Sequence, residues 1–401
     1  MKRFAYVCGD PGVPLPGTKG ASAHVASIVT AFGQHGLVGT VHAARAESER
    51  LGVTPIVPLP SAALRAVRGD RRAHDEEAAL FLASSARIEC IEKPVDFIYE
   101  RYSLWHTAGL ARARELNVPF VLEVNSPLPE EARRFRTLDN VALANGVAAL
   151  LLRAAELVFC VSDEVAEWAK NARGDRPGLH VLPNGVDEEL FQPVPAATPR
   201  PAPLPPAGVP LIVFCGSFRP WHGLDDLLTA FHLLVQRPAS VGAAASLRAA
   251  HLLLIGDGPE RARIEARARE LELSDRVHFT GQVPQSTVAQ LAGAADVAAA
   301  PYPQRLEQFY FSPLKIFEFM ALGLPIVSTA LGQVSDLLGD GERGLVCAPG
   351  DTQQLAASLA HLLSDRAAAR AMGLRGRRFV VENATWRQRC AQILAAIGAL
   401  A

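Results

Sequence analysis

The sequence has little excess charge of either sign and few cysteines. Its 40 lysines and arginines against 41 aspartates and glutamates leave a formal net charge of −1. The overall charge therefore favours neither nucleic acid nor an anionic membrane as a partner. The six cysteines are scattered, with no CxxC pair and no His/Cys zinc spacing. This pattern predicts buried thiols in a reducing compartment and excludes a disulfide-stabilised or zinc-stabilised fold.

The sequence also lacks a run of roughly 20 apolar residues, which a membrane-spanning helix would need. Two long uncharged stretches, 201–218 and 319–335, are interrupted by prolines and glycines. The apolar run before Asp10 is too short for the core of a signal peptide. We therefore expect a soluble, cytoplasmic protein without a transmembrane segment.

What the sequence does contain is an alternation of short apolar runs with helix-length stretches. Runs typical of buried strands lie at 4–8, 97–99, 120–124, 157–161, 180–182, 211–215, 250–255, 277–279, 297–300 and 325–328. Helix-length stretches separate them, for example 21–35, 104–116 and 130–156. Such alternation is typical of βαβ units and parallel sheets covered on both faces. The predicted fold class is therefore α/β.

A change in composition predicts where the chain divides into domains. Between residues 192 and 210 there are eight prolines and a single charged residue, a composition typical of a stiff, extended spacer. We predict a first domain at 1–195, a Pro-rich linker at 196–209 and a second domain at 210–385. The final helix, within 386–401, is expected to join the first domain. Open parallel sheets bind ligands beyond the carboxyl ends of their strands, so the loops that follow strands are the candidate sites.

The first such loop is glycine-rich and leads into a helix. Gly12 and Gly17 have the spacing of a nucleotide-binding P-loop, but Thr18 and Lys19 are in the wrong order for one, because the lysine must directly follow the glycine. The remaining interpretation is a turn in which a ligand approaches backbone N–H groups. A plain strand-to-helix turn is the alternative.

Two loops of the second domain carry further signals. In the loop 216–223, Arg219 and His222 lie beside a helix start, an arrangement that suits a phosphate group. A packed loop with a hydrogen-bonded histidine is the alternative. The Gly256–Gly258 pair precedes a good helix start, but it lacks the third glycine of a dinucleotide-binding fingerprint.

The most informative stretch is 309–327. Ser312 is expected to cap a helix and Pro313 to occupy its first position. Lys315 then places a positive charge beside free N–H groups. Glu318 lies in an apolar run, where a buried carboxylate needs hydrogen-bond partners such as the two hydroxyls of a ribose. The sequence has no DxD pair, so we expect a diphosphate to be held without a metal.

Together these loops resemble the retaining glycosyltransferases of family 4, whose GT-B fold has two facing Rossmann-like domains and an interdomain cleft. The resemblance covers almost the whole chain. Its markers, in order, are residues 17–24, 161–162, 183–187, 216–223, 256–259, 281–283 and 312–327. It implies an enzyme that transfers a hexose from a sugar nucleotide, with a UDP-sugar as the default, and that needs no cofactor.

The resemblance also implies roles for individual residues. The base would lie near Gln282 and Val283, the ribose on Glu318, and the diphosphate against the loop 216–222 and the start of the helix after Ser312. Residues expected to stabilise the leaving group are Arg219, His222 and Lys315. Residues expected to bind the donor are Gly20, Gly216, Ser217, Gly256, Gln282, Val283, Tyr310, Ser312, Pro313, Leu314 and Glu318. Candidates on the acceptor side are Lys19, His24, Glu100, Arg101, Tyr102, Glu123 and Asn125.

The sequence departs from the family pattern at three places. Tyr310 replaces the first of two paired glutamates, Ser217 and His222 replace the usual arginine and lysine of the second-domain loop, and Asn125 replaces a histidine. The FYFSPLKxFE and PWHG variants are interpreted as one coherent branch of the family. Arg219 and Lys315 are then the expected substitute cations.

Several alternatives remain at this point. An epimerase on the same fold would need no second substrate, and a non-catalytic protein would only bind the sugar nucleotide. The acceptor would be a small molecule or a glycan. A lipid acceptor would imply peripheral membrane contact, but the cluster of Arg133, Arg134 and Arg136 is bordered by acidic residues and is better explained as a solvated face. If Glu100 and Arg101 do not bind the acceptor, the alternative is that they form a structural ion pair.

Overall fold

The computed structural model describes residues 2–59, 73–85, 88, 90–135, 138–195, 198–202, 204–303 and 309–400. The chain divides into two compact units. Unit 1 comprises Met1–Asn184, Tyr310–Ser312 and Trp386–Ala401. Unit 2 comprises Gly185–Phe309 and Pro313–Thr385.

Unit 1 is built on a largely parallel sheet with helices between its strands. Its elements are β1 (Arg3–Cys8), α1 (Gly20–Gln34), β2 (Val38–Ala43), β3 (Arg50–Leu51), β4 (Thr54–Pro58), α2 (Ala73–Ser84), β5 (Phe97–Arg101), α3 (Ala108–Leu116), β6 (Phe120–Val124), α4 (Leu128–Phe135), α5 (Val141–Ala154), β7 (Leu157–Cys160), α6 (Asp163–Arg173) and β8 (Leu179–Val181). Within the described residues the sheet has eight strands in the order β3-β4-β2-β1-β5-β6-β7-β8. Only the pair β3 and β4 is antiparallel there.

The central strands of unit 1 are buried along their length. All residues of β6 and β7 are buried, and only the first residue of β1 is exposed. Burial on both faces is what a parallel sheet covered by helices requires. The strand order reverses between β1 and β5, so the loops after these two strands flank a crevice where ligands bind in such sheets.

Unit 2 repeats this architecture with a second parallel sheet. Its elements are β9 (Leu211–Cys215), α7 (Leu224–Gln236), β10 (His251–Ile255), α8 (Arg261–Glu270), β11 (Val277–Phe279), α9 (Gln285–Gly293), β12 (Val297–Ala300), α10 (Leu314–Ala321), β13 (Ile326–Thr329), α11 (Val334–Leu338), β14 (Leu345–Cys347), α12 (Thr352–Ser364) and α13 (Arg366–Asn383). Three short 3-10 helices lie at Pro220–His222, Pro238–Val241 and Ala245–Ala249. The described strands are ordered β11-β10-β9-β12-β13-β14 and pair in parallel.

The strand order of unit 2 reverses between β9 and β12. This places the loop after Cys215 and the loop after Ala300 on the two sides of the reversal point. Helix α7 buries Leu224, Leu227 and Phe231 on one face, the spacing of three and four residues that puts side chains on one stripe of a helix. These side chains join the apolar core on one side of the sheet.

The structure confirms the predicted α/β class with two parallel sheets and revises some of its elements. The stretch 130–156, predicted as one helix-length segment, contains α4 and α5 as separate helices. Asn140 begins the second, because its side chain accepts a hydrogen bond from Leu143 N at 3.1 Å. Strands β2, β3, β4 and β14 were not among the predicted strands.

The units divide at Asn184–Gly185, upstream of the predicted linker at 196–209. The described residues of that Pro-rich segment belong to unit 2. Arg200, its single charged residue, donates hydrogen bonds to Ala294 O at 2.9 Å, Asp296 Oδ2 at 2.9 Å and Val209 O at 2.6 Å. These contacts hold in place a segment whose described residues form neither a helix nor a strand.

The C-terminal helix α14 (Trp386–Gly398) groups with unit 1. Cys390 on this helix is buried and lies 3.7 Å from Ile28 O of α1. All six cysteines are free thiols, and Cys90 is exposed, contrary to the prediction that they are all buried. Among the described residues, none of the helices is both long and apolar enough to cross a membrane.

Candidate functional site

Glycines shape the loop after β9 in unit 2. Gly216 and Gly256 have φ angles of +146° and +128°, conformations that glycine adopts far more readily than other residues. A Cβ on Gly256 would collide with the carbonyl of Gly216, and one on Gly216 would lie 2.8 Å from Lys315 Nζ. The loop after β9, with Gly216, and the loop after β10, with Gly256, can therefore pack backbone to backbone and still leave room for the Lys315 side chain.

Lys315, in the first turn of α10, is buried without a hydrogen-bond partner among the described residues. Its Nζ lies 4.2 Å from the centroid of the Phe214 ring and 5.5 Å from that of Tyr302. Burial lowers the pKa of this ammonium to about 8, although Cys215 and Glu318 oppose the shift. A buried ammonium with no protein acceptor is a site for an anion.

Glu318 lies one turn further along α10 and is also buried. Burial raises the pKa of its carboxyl to about 7, and the nearby Lys315 ammonium opposes this rise. Residues three apart on a helix lie on the same face. One face of α10 therefore presents a buried ammonium and a buried carboxyl group, one turn apart.

The structure changes the role expected for His222. Its Nδ1 is hydrogen-bonded to the carbonyl oxygen of Ser217, and because a carbonyl only accepts, Nδ1 carries the proton. Burial, then the positive charges of Lys315 and Arg219, hold the pKa of His222 well below its ordinary value. The imidazole is therefore neutral, with Nε2 as an acceptor, and the prediction that His222 adds positive charge to the pocket is corrected.

The remaining predicted cation of this loop, Arg219, lies with its guanidinium 5.6 Å from the ring centroid of Trp221. Gly256 N donates to Gly281 O at 3.1 Å. This contact brings the loop with Gln282 and Val283 to the same edge of the sheet. Gln282 is exposed and Val283 half-buried, and the base subsite expected at these two residues stays a prediction.

The segment Tyr310–Ser312 groups with unit 1, whereas Pro313 and Leu314 group with unit 2. Tyr310 donates from its hydroxyl to Glu131 Oε2 at 3.2 Å, and its carbonyl accepts from Ser162 Oγ at 3.0 Å. Ser312 does not cap α10, contrary to the prediction. The capping position is Pro313, and Ser312 Oγ instead accepts from Asn184 N at 2.9 Å.

In unit 1, Glu123 is the centre of a buried polar network. Its Oε1 accepts from Arg101 Nη1 at 2.8 Å and from Asn125 Nδ2 at 2.6 Å, and its Oε2 accepts from Tyr99 at 3.0 Å. Burial alone would raise the pKa of Glu123, but His24, Arg101 and Asn125 lower it to about 2. The carboxylate is therefore ionised at neutral pH.

His24 is held between two acceptors in this network. Its Nε2 lies 2.9 Å from Glu123 Oε1, and its Nδ1 lies 2.9 Å from Asn184 Oδ1. The amide orientation of Asn184 is assigned because its Nδ2 donates to Ser312 O at 2.6 Å. Both ring nitrogens of His24 therefore lie 2.9 Å from a side-chain oxygen.

Glu100 and Arg101 do not pair with each other. Successive side chains of a strand point to opposite faces, so Arg101 reaches Glu123 whereas Glu100 Oε1 lies 2.8 Å from His106 Nδ1. The fully buried Glu100 packs against the first turn of α3, where Gly109 leaves no room for a Cβ. The alternative of an ion pair between Glu100 and Arg101 is therefore wrong, whereas the acceptor-side role of Glu100 stays a prediction.

The other predicted residues of unit 1 lie around the same strand ends. Tyr102 is buried beside Trp168, with ring centroids 6.1 Å apart. Lys19 lies at the start of α1, directly before Gly20, and its Nζ donates to Gly12 O at 2.8 Å. The described residues contain no cluster of three or more histidine, cysteine or acidic side chains that could hold a metal ion.

Sequence reasoning left two residues out of the candidate site. Tyr302 follows β12 at the reversal point of unit 2, and the Pro-Tyr-Pro sequence after a predicted strand was the available signal. Asn184 was recognised only within the PNGVD marker at 183–187. Its side chain joins His24 to Ser312 through contacts between residues far apart in sequence, which no local pattern reveals.

This fold defines a class of proteins, the GT-B glycosyltransferase structures. Sucrose-phosphate synthase from Thermosynechococcus elongatus superposes with a TM-score of 0.72 at 22% identity, covering 100% of this chain and 99% of that one. Anabaena HepE, solved in complex with UDP-glucose, superposes with a TM-score of 0.69 at 17% identity over 100% of both chains. At these identities the likeness concerns the fold alone.

Sequence comparison then gives the family. Residues 18–190 match the model for Glycosyltransferase Family 4, and residues 198–379 match the model for Glycosyl transferases group 1. Because the two matches fall on the two halves of the chain, the chain belongs to the family 4 glycosyltransferases with a GT-B fold.

Two curated relatives are similar to this chain at sequence identities below 30%. The D-inositol 3-phosphate glycosyltransferase of Nocardia farcinica is 27% identical over 74% of this chain and 65% of its own length. The GDP-mannose-dependent alpha-(1-6)-phosphatidylinositol monomannoside mannosyltransferase of Mycolicibacterium smegmatis is 29% identical over 60% of this chain and 61% of its own length. The chain thus spans less than two thirds of either relative.

Proposed function

We propose that this protein is a retaining glycosyltransferase that moves a sugar from a nucleoside diphosphate sugar to a hydroxyl or other nucleophile of an acceptor. The observation that carries the proposal is the pair on α10. Lys315 is a buried ammonium without a protein acceptor among the described residues, and Glu318 lies on the same helix face. A diphosphate would bind the Lys315 ammonium, and the ribose next to it would bind the Glu318 carboxylate.

The proposed step breaks the bond between the anomeric carbon and the diphosphate oxygen, and the electron pair leaves with the diphosphate. Lys315 and Arg219 stabilise the negative charge that develops there, which is electrostatic preorganisation. The acceptor oxygen bonds to the anomeric carbon from the same face, and its proton passes to a phosphate oxygen. This chemistry needs neither a protein nucleophile nor a metal ion.

His222 takes a different part from the two cations. A neutral imidazole with Nδ1–H bound to Ser217 offers the lone pair of Nε2. It can accept a hydrogen bond from a hydroxyl, and it holds the loop after β9 in shape through its Nδ1. It therefore contributes orientation rather than charge.

The acceptor is proposed to bind at the carboxyl edge of the sheet of unit 1. Arg101, Glu123 and Asn125 lie at the ends of β5 and β6 and share one hydrogen-bonded network. Such a rigid set of donors and acceptors fits a polar, hydroxyl-bearing molecule. A small molecule or a glycan has this chemistry.

A UDP-sugar is the first donor to test. Anabaena HepE was solved with UDP-glucose, whereas the Mycolicibacterium smegmatis relative is named for GDP-mannose. The panel therefore includes UDP-glucose, UDP-galactose, UDP-N-acetylglucosamine and GDP-mannose. Each donor is incubated with a panel of polyol and glycan acceptors, with and without EDTA, and the release of free nucleotide is measured.

We expect nucleotide release that depends on the acceptor, persists in EDTA and gives a product with the anomeric configuration of the donor by NMR. The Glu318→Gln variant is the control and should bind the donor more weakly than the wild type. Conversion of the donor to an epimer without acceptor would indicate an epimerase instead. Donor binding with no turnover under any condition would indicate a binding protein, and an inverted product would refute retention.

A further inference from the structure

Tyr302 lies two residues after the end of β12, where the strand order of unit 2 reverses, and hydrogen bonds fix its backbone. Tyr302 N donates to Thr329 Oγ1 at 2.9 Å, and Thr329 Oγ1 donates to Tyr302 O at 3.0 Å. Thr329 ends the neighbouring strand β13 and is buried. The position of the Tyr302 side chain is therefore fixed by the sheet itself rather than by a surface loop.

The phenol of Tyr302 lies next to the groups of the donor site. Its ring centroid is 5.5 Å from Lys315 Nζ and 6.2 Å from the centroid of His222, in an edge-on arrangement. On the other side it packs against Phe309 at 4.9 Å. The ring thus forms one wall of the space around the lysine.

Two polar atoms in this space have no hydrogen-bond partner among the described residues. They are the hydroxyl of Tyr302 and the ammonium of Lys315, and both are buried. Leaving a buried polar group without a partner costs more than a normal hydrogen bond contributes. A ligand that supplies acceptor oxygens to both groups would remove this cost.

The Tyr302 hydroxyl can act only as a donor toward an anion. Burial raises the pKa of its phenol above the ordinary value, and the charges of Glu318 and Cys215 act in the same direction. It therefore keeps its proton at every pH at which the protein would work. The ammonium likewise has no lone pair to share.

We propose that Tyr302 is a donor-binding residue whose hydroxyl and the ammonium of Lys315 hold the same phosphate oxygens of the nucleoside diphosphate. The inference rests on the proposed function of this site and adds a contact outside the loop 216–223 and the helix α10. It also explains why a tyrosine follows β12: the sheet reversal places this side chain opposite the loop after β9.

The test uses Tyr302→Phe in the full chain, which removes one oxygen and leaves the ring beside Lys315. Isothermal titration with UDP, or with whichever of UDP, GDP and ADP binds the wild type best, gives the Kd. We expect Kd to rise about 10- to 100-fold, the loss typical of a hydrogen bond to a charged group. Tyr6→Phe is the matched control, because Tyr6 carries an equally buried phenol in β1 of unit 1, and its Kd should be unchanged.

Two further measurements separate this role from a structural one. The melting temperature of ligand-free Tyr302→Phe should equal or exceed that of the wild type, since the hydroxyl lost had no described partner. In a double-mutant cycle with Lys315→Met, the two losses should be less than additive, because both groups hold the same oxygens.

An unchanged Kd for Tyr302→Phe, with binding weakened in Glu318→Gln and Lys315→Met, would overturn this inference and leave the proposed function standing. A lowered melting temperature with an unchanged ligand-induced rise would also overturn it, since that pattern marks a structural tyrosine. A wild-type protein that binds none of the three nucleotides would overturn the proposed function as well.

Discussion

Lys315 and Glu318 show how burial sets the chemistry of single side chains. Their opposite charges attract, which by itself would stabilise both ionised forms. Desolvation outweighs this attraction, lowering the pKa of Lys315 to about 8 and raising that of Glu318 to about 7. Both groups therefore titrate close to neutral pH in the ligand-free protein.

This predicts a bell-shaped pH dependence of donor affinity. Affinity should rise as Glu318 ionises through about pH 7 and fall as Lys315 loses its proton through about pH 8, because the site needs a carboxylate and an ammonium together. Isothermal titration between pH 6 and 9 with an intact sugar nucleotide checks this, since its phosphates do not titrate there.

Two single variants test which residue causes each side of the bell-shaped pH dependence. Glu318→Gln should flatten the acid side, and Lys315→Met should flatten the alkaline side, each with a lower maximum affinity. A wild-type affinity that is constant across this range would contradict the assigned ionisations.

The polar network of unit 1 depends in the same way on one residue, Glu123. Its pKa is depressed from 4.5 to about 2, so the carboxylate stabilises the folded state. A depressed pKa gives stabilisation that is fully present above the unfolded value and is lost as the pH falls toward the folded value. The stabilisation that Glu123 provides is therefore lost as the pH falls from about 4.5 to about 2.

Glu123→Gln should accordingly lower the free energy of unfolding at pH 7 by about 3 kcal/mol, the linkage equivalent of this shift. Arg101 and His24 would lose their anionic partner at the same time. Denaturant unfolding at pH 7 and pH 3 measures the effect, which should shrink at the lower pH.

Glu47→Gln is the matched control in unit 1. Glu47 pairs with Arg45 at 2.6 Å, but both side chains are about half exposed, and such pairs contribute little. Equal destabilisation by the two substitutions would refute a special role for the network around Glu123.

At the scale of elements, the loops at the carboxyl edge of unit 2 depend on close backbone contact. The loop after β9 and the loop after β10 touch through Gly216 and Gly256, and Lys315 fills the space beside Gly216. The donor site is therefore formed by elements that are distant in sequence but adjacent in the sheet. A side chain at 216 would disturb the backbone conformation and the lysine together.

Gly216→Ala should destabilise the protein by about 1–3 kcal/mol, since alanine at such a positive φ is strained. It should also weaken nucleotide binding, because the new Cβ would lie 2.8 Å from Lys315 Nζ. Thermal melting and isothermal titration measure the two effects.

Gly376→Ala provides the comparison in the same unit. A Cβ at this position in α13 would meet its nearest neighbour at 3.5 Å, an ordinary contact. Alanine should stabilise the helix by about 0.5–1 kcal/mol and leave the Kd unchanged. If Gly216→Ala bound nucleotide as well as Gly376→Ala does, the packing of Lys315 against Gly216 would not matter for the ligand.

At the scale of the whole molecule, each unit has its own sheet and apolar core. The proposed donor residues of unit 2, including Lys315, Glu318 and Tyr302, lie within Gly185–Phe309 and Pro313–Thr385. The proposed acceptor residues lie in unit 1. Of the residues expected to bind the donor, Gly20, Tyr310 and Ser312 group with unit 1 and the others with unit 2.

A fragment of residues 185–385 should therefore fold cooperatively and bind the nucleotide within about tenfold of the full chain, a difference of about 1.4 kcal/mol. Circular dichroism melting and isothermal titration test this, with Glu318→Gln in the same fragment as the weak-binding control. A fragment that folds but does not bind would show that residues of unit 1 are needed for the donor.

Much of this protein was determined by the sequence alone. Apolar runs alternating with helix-length stretches predicted two parallel sheets, because burial of both sheet faces requires such runs. The order of the short motifs, from the glycine-rich loop at 17–24 to the block at 312–327, predicted the family and the roles of Lys315 and Glu318. These signals are local, so they can be recognised without knowing which segments meet in space.

Only the tertiary structure decided the remaining features, because they depend on contacts between distant segments. His222 is neutral because its Nδ1 binds Ser217 O and because desolvation and the nearby Lys315 charge lower its pKa. Glu100 pairs with His106 and not with Arg101, because successive side chains of a strand point to opposite faces. Tyr302 and Lys315 come from different elements, and the strand order, which reverses between β9 and β12, brings the Tyr302 ring within 5.5 Å of Lys315 Nζ.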